Sequence, residues 1–310
     1  MIKNNMLKEK SGLEGVESSG DFNSNVEMGI GEAMDLLKKR YEGQPEEENN
    51  LPFHNSEHTL GVIRRTEKIL KAIQAADQNL VNSHDLEIGR LASAFHDTVQ
   101  EWEKNTINDG NFEKVLRKRF AGNNETASSN EAVAFMVRAN ENEFVFSDND
   151  KKTVQRAINA TVPGWDMENK TIKQPNLQDN NSLVERAVAL SDLATAGMDG
   201  PEKFVKEGKA LFREENLDIL EAVRSGEDIP KDKQESFKKR ILGYLKSQAN
   251  FAKGRQARLE EEIQPIRHEE AREAVAKLFS RFEDSIQKSK EVADEAEGMT
   301  FEELVEYMGY

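Results

Sequence analysis

Residues 84–97 read His-Asp-Leu-Glu-Ile-Gly-Arg-Leu-Ala-Ser-Ala-Phe-His-Asp. Leu91, Ala92, Ala94 and Phe95 make the run apolar, and its small residues predict a buried helix packed closely on its neighbours. The helix closes on His96-Asp97, and two adjacent residues reach one cation only where a helix terminates or distorts. A buried carboxylate also calls for a partner, because leaving it unpaired costs several kcal/mol or more. A metal, another cation or a hydrogen-bond network meets that need, and a divalent metal meets it most economically.

Moving toward the N-terminus, residues 55–77 place Leu60, Ile63, Ile69, Leu70 and Ile73 in an apolar stripe, with Asn55 as N-cap just past Pro52. This spacing predicts a long amphipathic helix. Its start, Phe53-His54-Asn55-Ser56-Glu57-His58, holds two of the five histidines. His58 lies on the helix, whereas His54 can precede the cap and point elsewhere. Further upstream, 26–40 turns helical and ends in Lys38-Lys39-Arg40, and the polar stretch 1–25 reads as a flexible tail.

Toward the C-terminus, 98–110 reads as an irregular polar segment, followed by helical windows at 112–120, 128–140, 148–161 and 182–197. In the last of these, Ala189-Leu190-Ser191-Asp192-Leu193-Ala194 sets a lone acid in an apolar run, which makes Asp192 the candidate fourth donor. Strand signals are nearly absent, and the alternating run 143–146 is too short to rank above a loop, so the fold class is all-α. Beyond Gly200-Pro201 the helical pattern continues but becomes more polar, through 204–224, 231–253 and 256–293, with Pro265 as an interruption. Thr300-Phe301-Glu302-Glu303 is a capping box for a last helix. The expected organisation is a tail at 1–25, a main domain at 26–200 and a charged helical extension at 201–310.

Composition narrows the chemistry. The 310 residues contain no cysteine, which removes disulfides, thiolate zinc sites and thiol nucleophiles, so a metal would rest on His, Asp, Glu or water. A net charge of −15 argues against nucleic acid as a partner and favours small molecules. No window approaches the roughly 20 apolar residues of a membrane span, and 1–25 lacks a signal-peptide core. A cytoplasmic protein without a membrane partner is the expectation, with a homo-oligomer left open.

His58, His96-Asp97 and Asp192, in this order in an all-α chain, resemble the H…HD…D signature of the HD-domain metal-dependent phosphohydrolases. Phe53-His54-Asn55-x-x-His58 resembles the family's frequent Tyr-His-Asn-x-x-His start, and Asn124-Glu125 followed by Ser128 or Ser129 resembles an element seen after the HD pair in a small subgroup. The resemblance covers 26–200. It implies an HD-type helical bundle with one metal held by His58, His96, Asp97 and Asp192, and a small phosphorylated substrate, nucleotides included. Histidines that further metals would need are missing between His96 and His268, and Gln100 stands where some members carry a catalytic Glu.

A mixed nitrogen and oxygen donor set suits Mn, Fe, Co, Ni or Zn better than Mg. The expected catalytic group is Asp97 with Glu101 and His54, Glu101 being the nearest candidate acid. Arg65, seven residues after His58 on the same helical face, and Glu125 are the expected substrate contacts. Trp102 either stacks on a base or covers the pocket. Blander readings stand beside these: a buried polar network for the His/Asp set, a helix start for His84, an exposed His268, a turn at Trp165 and a solvated face for 258–272. The functional alternative to a hydrolase is a nucleotide-binding sensor that keeps the metal site with little turnover, and a helical scaffold is the third.

Overall fold

The computed structural model describes residues 19–109, 112–141 and 143–310. Up to position 18 the expected tail lies outside these residues, and from Ser19 the chain is already helical. The described residues form twelve α-helices, two short helical turns at Glu47–Asn49 and Thr195–Asp199, and two small antiparallel hairpins, so helices dominate the fold, as the sequence predicts.

The central layer is α1 (Ser19–Tyr41), α2 (Ser56–Ala76), α3 (Ser83–Phe95), α4 (Asn123–Ala139), α5 (Asp148–Asn159) and α6 (Leu183–Asp192). The decisive run 84–97 becomes α3, which packs against α1, α2, α4, α5 and α6 at once. Leu91, Ala92, Ala94 and Phe95 are fully buried, each large side chain contributing about 1.5–3 kcal/mol by leaving water. Close approach to α2 depends on Gly89: a Cβ there would lie 2.6 Å from Leu70 Cδ1. Ser93 Oγ donates to Thr66 Oγ1 at 2.8 Å across the same seam.

Helix starts follow their capping residues. The Asn55 side chain accepts from the backbone N–H of Glu57 and His58, and Asn82 with Asp85 closes a capping box at α3. Past Pro201 come α7 (Pro201–Glu215), α8 (Leu217–Arg224), α9 (Lys231–Ile263), α10 (Glu269–Leu278), α11 (Phe282–Glu297) and α12 (Phe301–Met308). Pro265 separates α9 from α10, and Thr300 with Glu303 caps α12 as expected. His268 is not a bystander: it is the N-cap of α10, its ring accepting from the Ala271 N–H. Phe204, Ala252, Ile266, Val275 and Phe282 belong to the same apolar cluster as Val26, Phe95 and Val188, so the core runs across position 200. A second cluster gathers Phe212, Ile219, Phe237, Ile241 and Leu304 from α7, α8, α9 and α12.

One reading is corrected. Residues around 98–120 form a hairpin of β1 (Trp102–Asp109) and β2 (Phe112–Arg119), where the spacing predicts an irregular segment and then a helix. Trp102 pairs with Arg119 and Thr106 with Val115, and β2 bridges through Leu116 to Asn216 between α7 and α8. Asp109-Gly110, a hairpin-turn signal between two alternating runs, was the available clue. A second, shorter hairpin joins β3 (Gly164–Asp166) to β4 (Thr171–Lys173), which packs on α9, with Trp165 half exposed on β3.

Gly89→Ala is expected to lower stability to urea by about 1–3 kcal/mol through overpacking. Gly31→Ala, on an exposed turn of α1 with nothing within 4 Å of the added Cβ, is expected to raise it by about 0.5–1 kcal/mol.

Candidate metal centre

Three helix ends converge on one point. His58 lies in the first turn of α2, His96 caps the C-terminus of α3 with Asp97 beyond it, and Asp192 closes α6. One ligand atom from each of these four residues lies within 4.8 Å of the other three. His96 Nε2 is 3.1 Å from Asp97 Oδ2 and 3.6 Å from Asp192 Oδ1. His58 Nε2 is 3.3 Å from Asp192 Oδ1 and 3.7 Å from Asp97 Oδ2. His58, His96 and Asp97 are buried, and Asp192 is the most accessible of the four.

The donor set fits a cation. His96 Nδ1 donates to Ser93 O at 2.8 Å, which leaves Nε2 as the nitrogen facing the carboxylates. That Nε2 is buried and makes no hydrogen bond. Two carboxylates and two imidazole nitrogens so close together in a buried space need positive charge between them. The same demand shows in the titration of the groups. Burial alone disfavours the imidazolium of His96, but Asp97 and Asp192 outweigh it and push His96 up to about 10. Burial likewise would raise both carboxyls, yet His96 holds Asp97, and His58 with His96 hold Asp192, well below the usual carboxylate range. This buried His/His/Asp/Asp cluster can hold a metal ion and is compatible with an HD-type site.

A second ring of side chains aims the first. Gln100 Nε2 donates to Asp97 Oδ1 at 2.7 Å, while its Oε1 accepts from Arg119 Nε at 2.6 Å. An amide can do both; a glutamate there would set a second anion against Asp97. Arg119 Nη1 donates to His54 Nε2 at 2.8 Å, and His54 Nδ1 is paired with the Glu214 carboxylate. Burial would raise Glu214, but its contacts with His54 bring it down to about 2. On α6, Gln174 Nε2 donates to Ala189 O at 2.9 Å, just before Asp192.

The remaining expected site residues fall in different places. His54 is 5% exposed with both ring nitrogens engaged, so it positions Arg119 and is not free to act on a substrate. Arg65 is 1% exposed. Its Nε donates to Ser191 O at 2.7 Å and its Nη1 to Asp199 Oδ2 at 2.6 Å, clamping the chain on either side of Asp192. It is a positioning residue, not a phosphate contact. Glu101 is exposed and engages Asn124 only through its backbone. Glu125 is buried, caps α4 by accepting from Gly122 N, and is raised above its ordinary value, burial being the main cause. The cation near the cluster is Arg119, which the sequence reading missed together with its strand. Its Nη2 lies 3.8 Å from Asp97 Oδ1 and 4.0 Å from Glu125 Oε1, beyond hydrogen-bond reach of both. Trp102 carries the Arg117 guanidinium on one face at 4.1 Å. No helix among the described residues is long and apolar enough to cross a membrane.

No family model, curated protein or solved structure matches this chain.

Purified without chelators, the wild type is expected to retain about one divalent ion per chain by elemental analysis, a stoichiometry that His96→Ala and Asp192→Asn lose and Glu101→Gln keeps. The carboxylates favour a protonated His96, whereas a ligating imidazole must be neutral, so ion uptake releases a proton. Apparent affinity measured by calorimetry should therefore rise with pH up to about 10 and fall as the solution is acidified.

Proposed function

We propose that this protein is an HD-type metal-dependent phosphohydrolase acting on a small phosphate ester, with nucleotides as the first class to test. The observation that carries the reading is the buried His58/His96/Asp97/Asp192 cluster with the half-shielded guanidinium of Arg119 beside it. A divalent ion of the Mn, Fe, Co, Ni or Zn kind held there supplies Lewis acidity toward a phosphoryl oxygen and acidifies water.

The chain's own residues do the rest. Arg119 offers Nη2 to a phosphate oxygen while Nε and Nη1 stay tied to Gln100 and His54, so the fork is held in one orientation before substrate arrives. The Glu214–His54 pair keeps the proton on Nδ1 and leaves Nε2 to accept from Arg119. Gln100 fixes the Asp97 carboxylate from the opposite side to its imidazole neighbours. Glu125, raised by burial and lying by Arg119, is the carboxyl suited to protonate a leaving group, in place of the solvent-exposed Glu101.

A second reading, a nucleotide sensor that binds without turnover, is favoured by one observation: Gln100, which has no proton to give, occupies the position three residues after Asp97. Phosphate release from a panel of nucleotides with each metal separates the two. Metal-dependent release is expected, reduced at least 10³-fold in Asp97→Asn and about 10²–10³-fold in Arg119→Met, the cost of one donor to developing charge. Ligand-dependent stabilisation without product would establish the sensor, and neither release nor stabilisation with any metal would reject both.

A further inference from the structure

A cleft of about 380 Å³ opens between the start of α2, β2, α7, α8 and the residues following α12. None of His58, His96, Asp97 and Asp192 lines it, so it is separate from the metal centre. Its volume falls in the range of small-molecule sites.

The charges around it do not balance. Three of the four carboxylates on its wall have a charged partner or a histidine: Glu214 has His54, Glu47 has Arg224 at 2.5 Å, and Glu57 has Lys203 at 2.7 Å with Lys206 beside it, while the fourth, Glu42, accepts from the Ser56 N–H at 2.8 Å. Two arginines on the same wall have no carboxylate within ion-pair distance among the described residues. Arg117 is 7% exposed; its Nε donates to Glu214 O at 2.9 Å and its Nη2 to Glu48 O at 2.5 Å, and its Nη1 is buried with no partner. Arg213 donates through Nη1 to Gly309 O, and its Nε is buried with no partner. Tyr310 also lines the cleft, and its hydroxyl is buried without a hydrogen-bond partner. Gly309 has φ +82, and a Cβ there would lie 3.1 Å from Arg213 Nη1, so glycine serves both the backbone and the space the guanidinium takes. Trp102 covers one face of Arg117 and keeps water from it.

We propose that this cleft is an anion site, distinct from the metal centre, that takes a small phosphorylated molecule through Arg117 and Arg213. A guanidinium withdrawn from water and held only by neutral carbonyls attracts an anion far more strongly than a hydrated one does. Guanidinium forks match phosphate oxygens two at a time, and a diphosphate has oxygens enough for both arginines.

The test uses the full chain and inorganic pyrophosphate as probe, followed by isothermal titration calorimetry in chelator so that metal-mediated binding is absent. Saturable one-site binding is expected in the wild type and, unchanged, in Asp97→Asn. Arg117 is buried, so the variant of choice is the more accessible Arg213→Gln, checked for folding by far-UV circular dichroism. It should weaken binding at least tenfold, and malonate should bind the wild type at least tenfold more weakly than pyrophosphate. No saturable binding in the wild type, loss of binding in Asp97→Asn, or full affinity in Arg213→Gln overturns the site. Malonate binding as tightly as pyrophosphate overturns its assignment to phosphate. The outcome is independent of whether the metal centre hydrolyses anything.

Discussion

Two carboxylates and two imidazoles brought within 4.8 Å of one another, nearly out of reach of water, are the constraint around which the rest of the molecule is arranged. Such a cluster is costly unless positive charge sits among its members. The fold meets this by bringing the start of α2 and the ends of α3 and α6 to one place, where a chain can present adjacent side chains in directions a continuing helix forbids. His96 in a helical cap conformation followed directly by Asp97 is the clearest case. Close packing of α3 on its neighbours, allowed by Gly89 and the small residues after it, holds these ends in register.

Precision then comes from side chains that never need to touch a ligand. Arg65 binds Ser191 O and Asp199, fixing the chain around Asp192 from the interior of α2. Gln100 joins Asp97 to Arg119, and Glu214 reaches Arg119 through His54. Glu214 belongs to α7, beyond the boundary expected at 200, so the helices of 201–310 contribute to the surroundings of the His/Asp cluster as well as to the shared core. The same residue's peptide oxygen accepts from Arg117, and Glu214 also lines the arginine cleft.

How much of this was legible in the sequence depended on whether the signal was local. The helices were, because apolar spacing and capping residues such as Asn55, Ser182 and Thr300 act within a few positions of themselves. His96, Asp97 and Asp192 were also legible, since an acid beside a histidine in an apolar run, or alone in one, stands out whatever surrounds it, and His58 joined them through the resemblance to an H…HD…D pattern. The hairpin at 102–119 was not: its strands are short, polar and half exposed, and their pairing partners lie on each other and on Asn216. With it went Arg117 and Arg119, which nothing in the helical window expected at 112–120 singles out. Arg65 failed in the opposite way. Helical spacing put it on the face of His58, but seven residues carry it about two turns along, past the cluster and into the core.

The sequence by itself determined that the chain is helical, that it has no thiol chemistry, and that His96, Asp97 and Asp192 are acids and bases set in apolar runs, because these follow from periodicity, composition and the cost of burying charge; that His58 joins them was what the resemblance to an H…HD…D pattern implied. Only the tertiary structure decided which cations stand near them and which are buried inside, that His54 has both ring nitrogens engaged, and that two arginines line one cleft with no carboxylate within ion-pair distance among the described residues. The reason is physical: a charged side chain's role is set by what lies within a few ångströms of it, and those neighbours here come from positions as far apart as 54, 119 and 214.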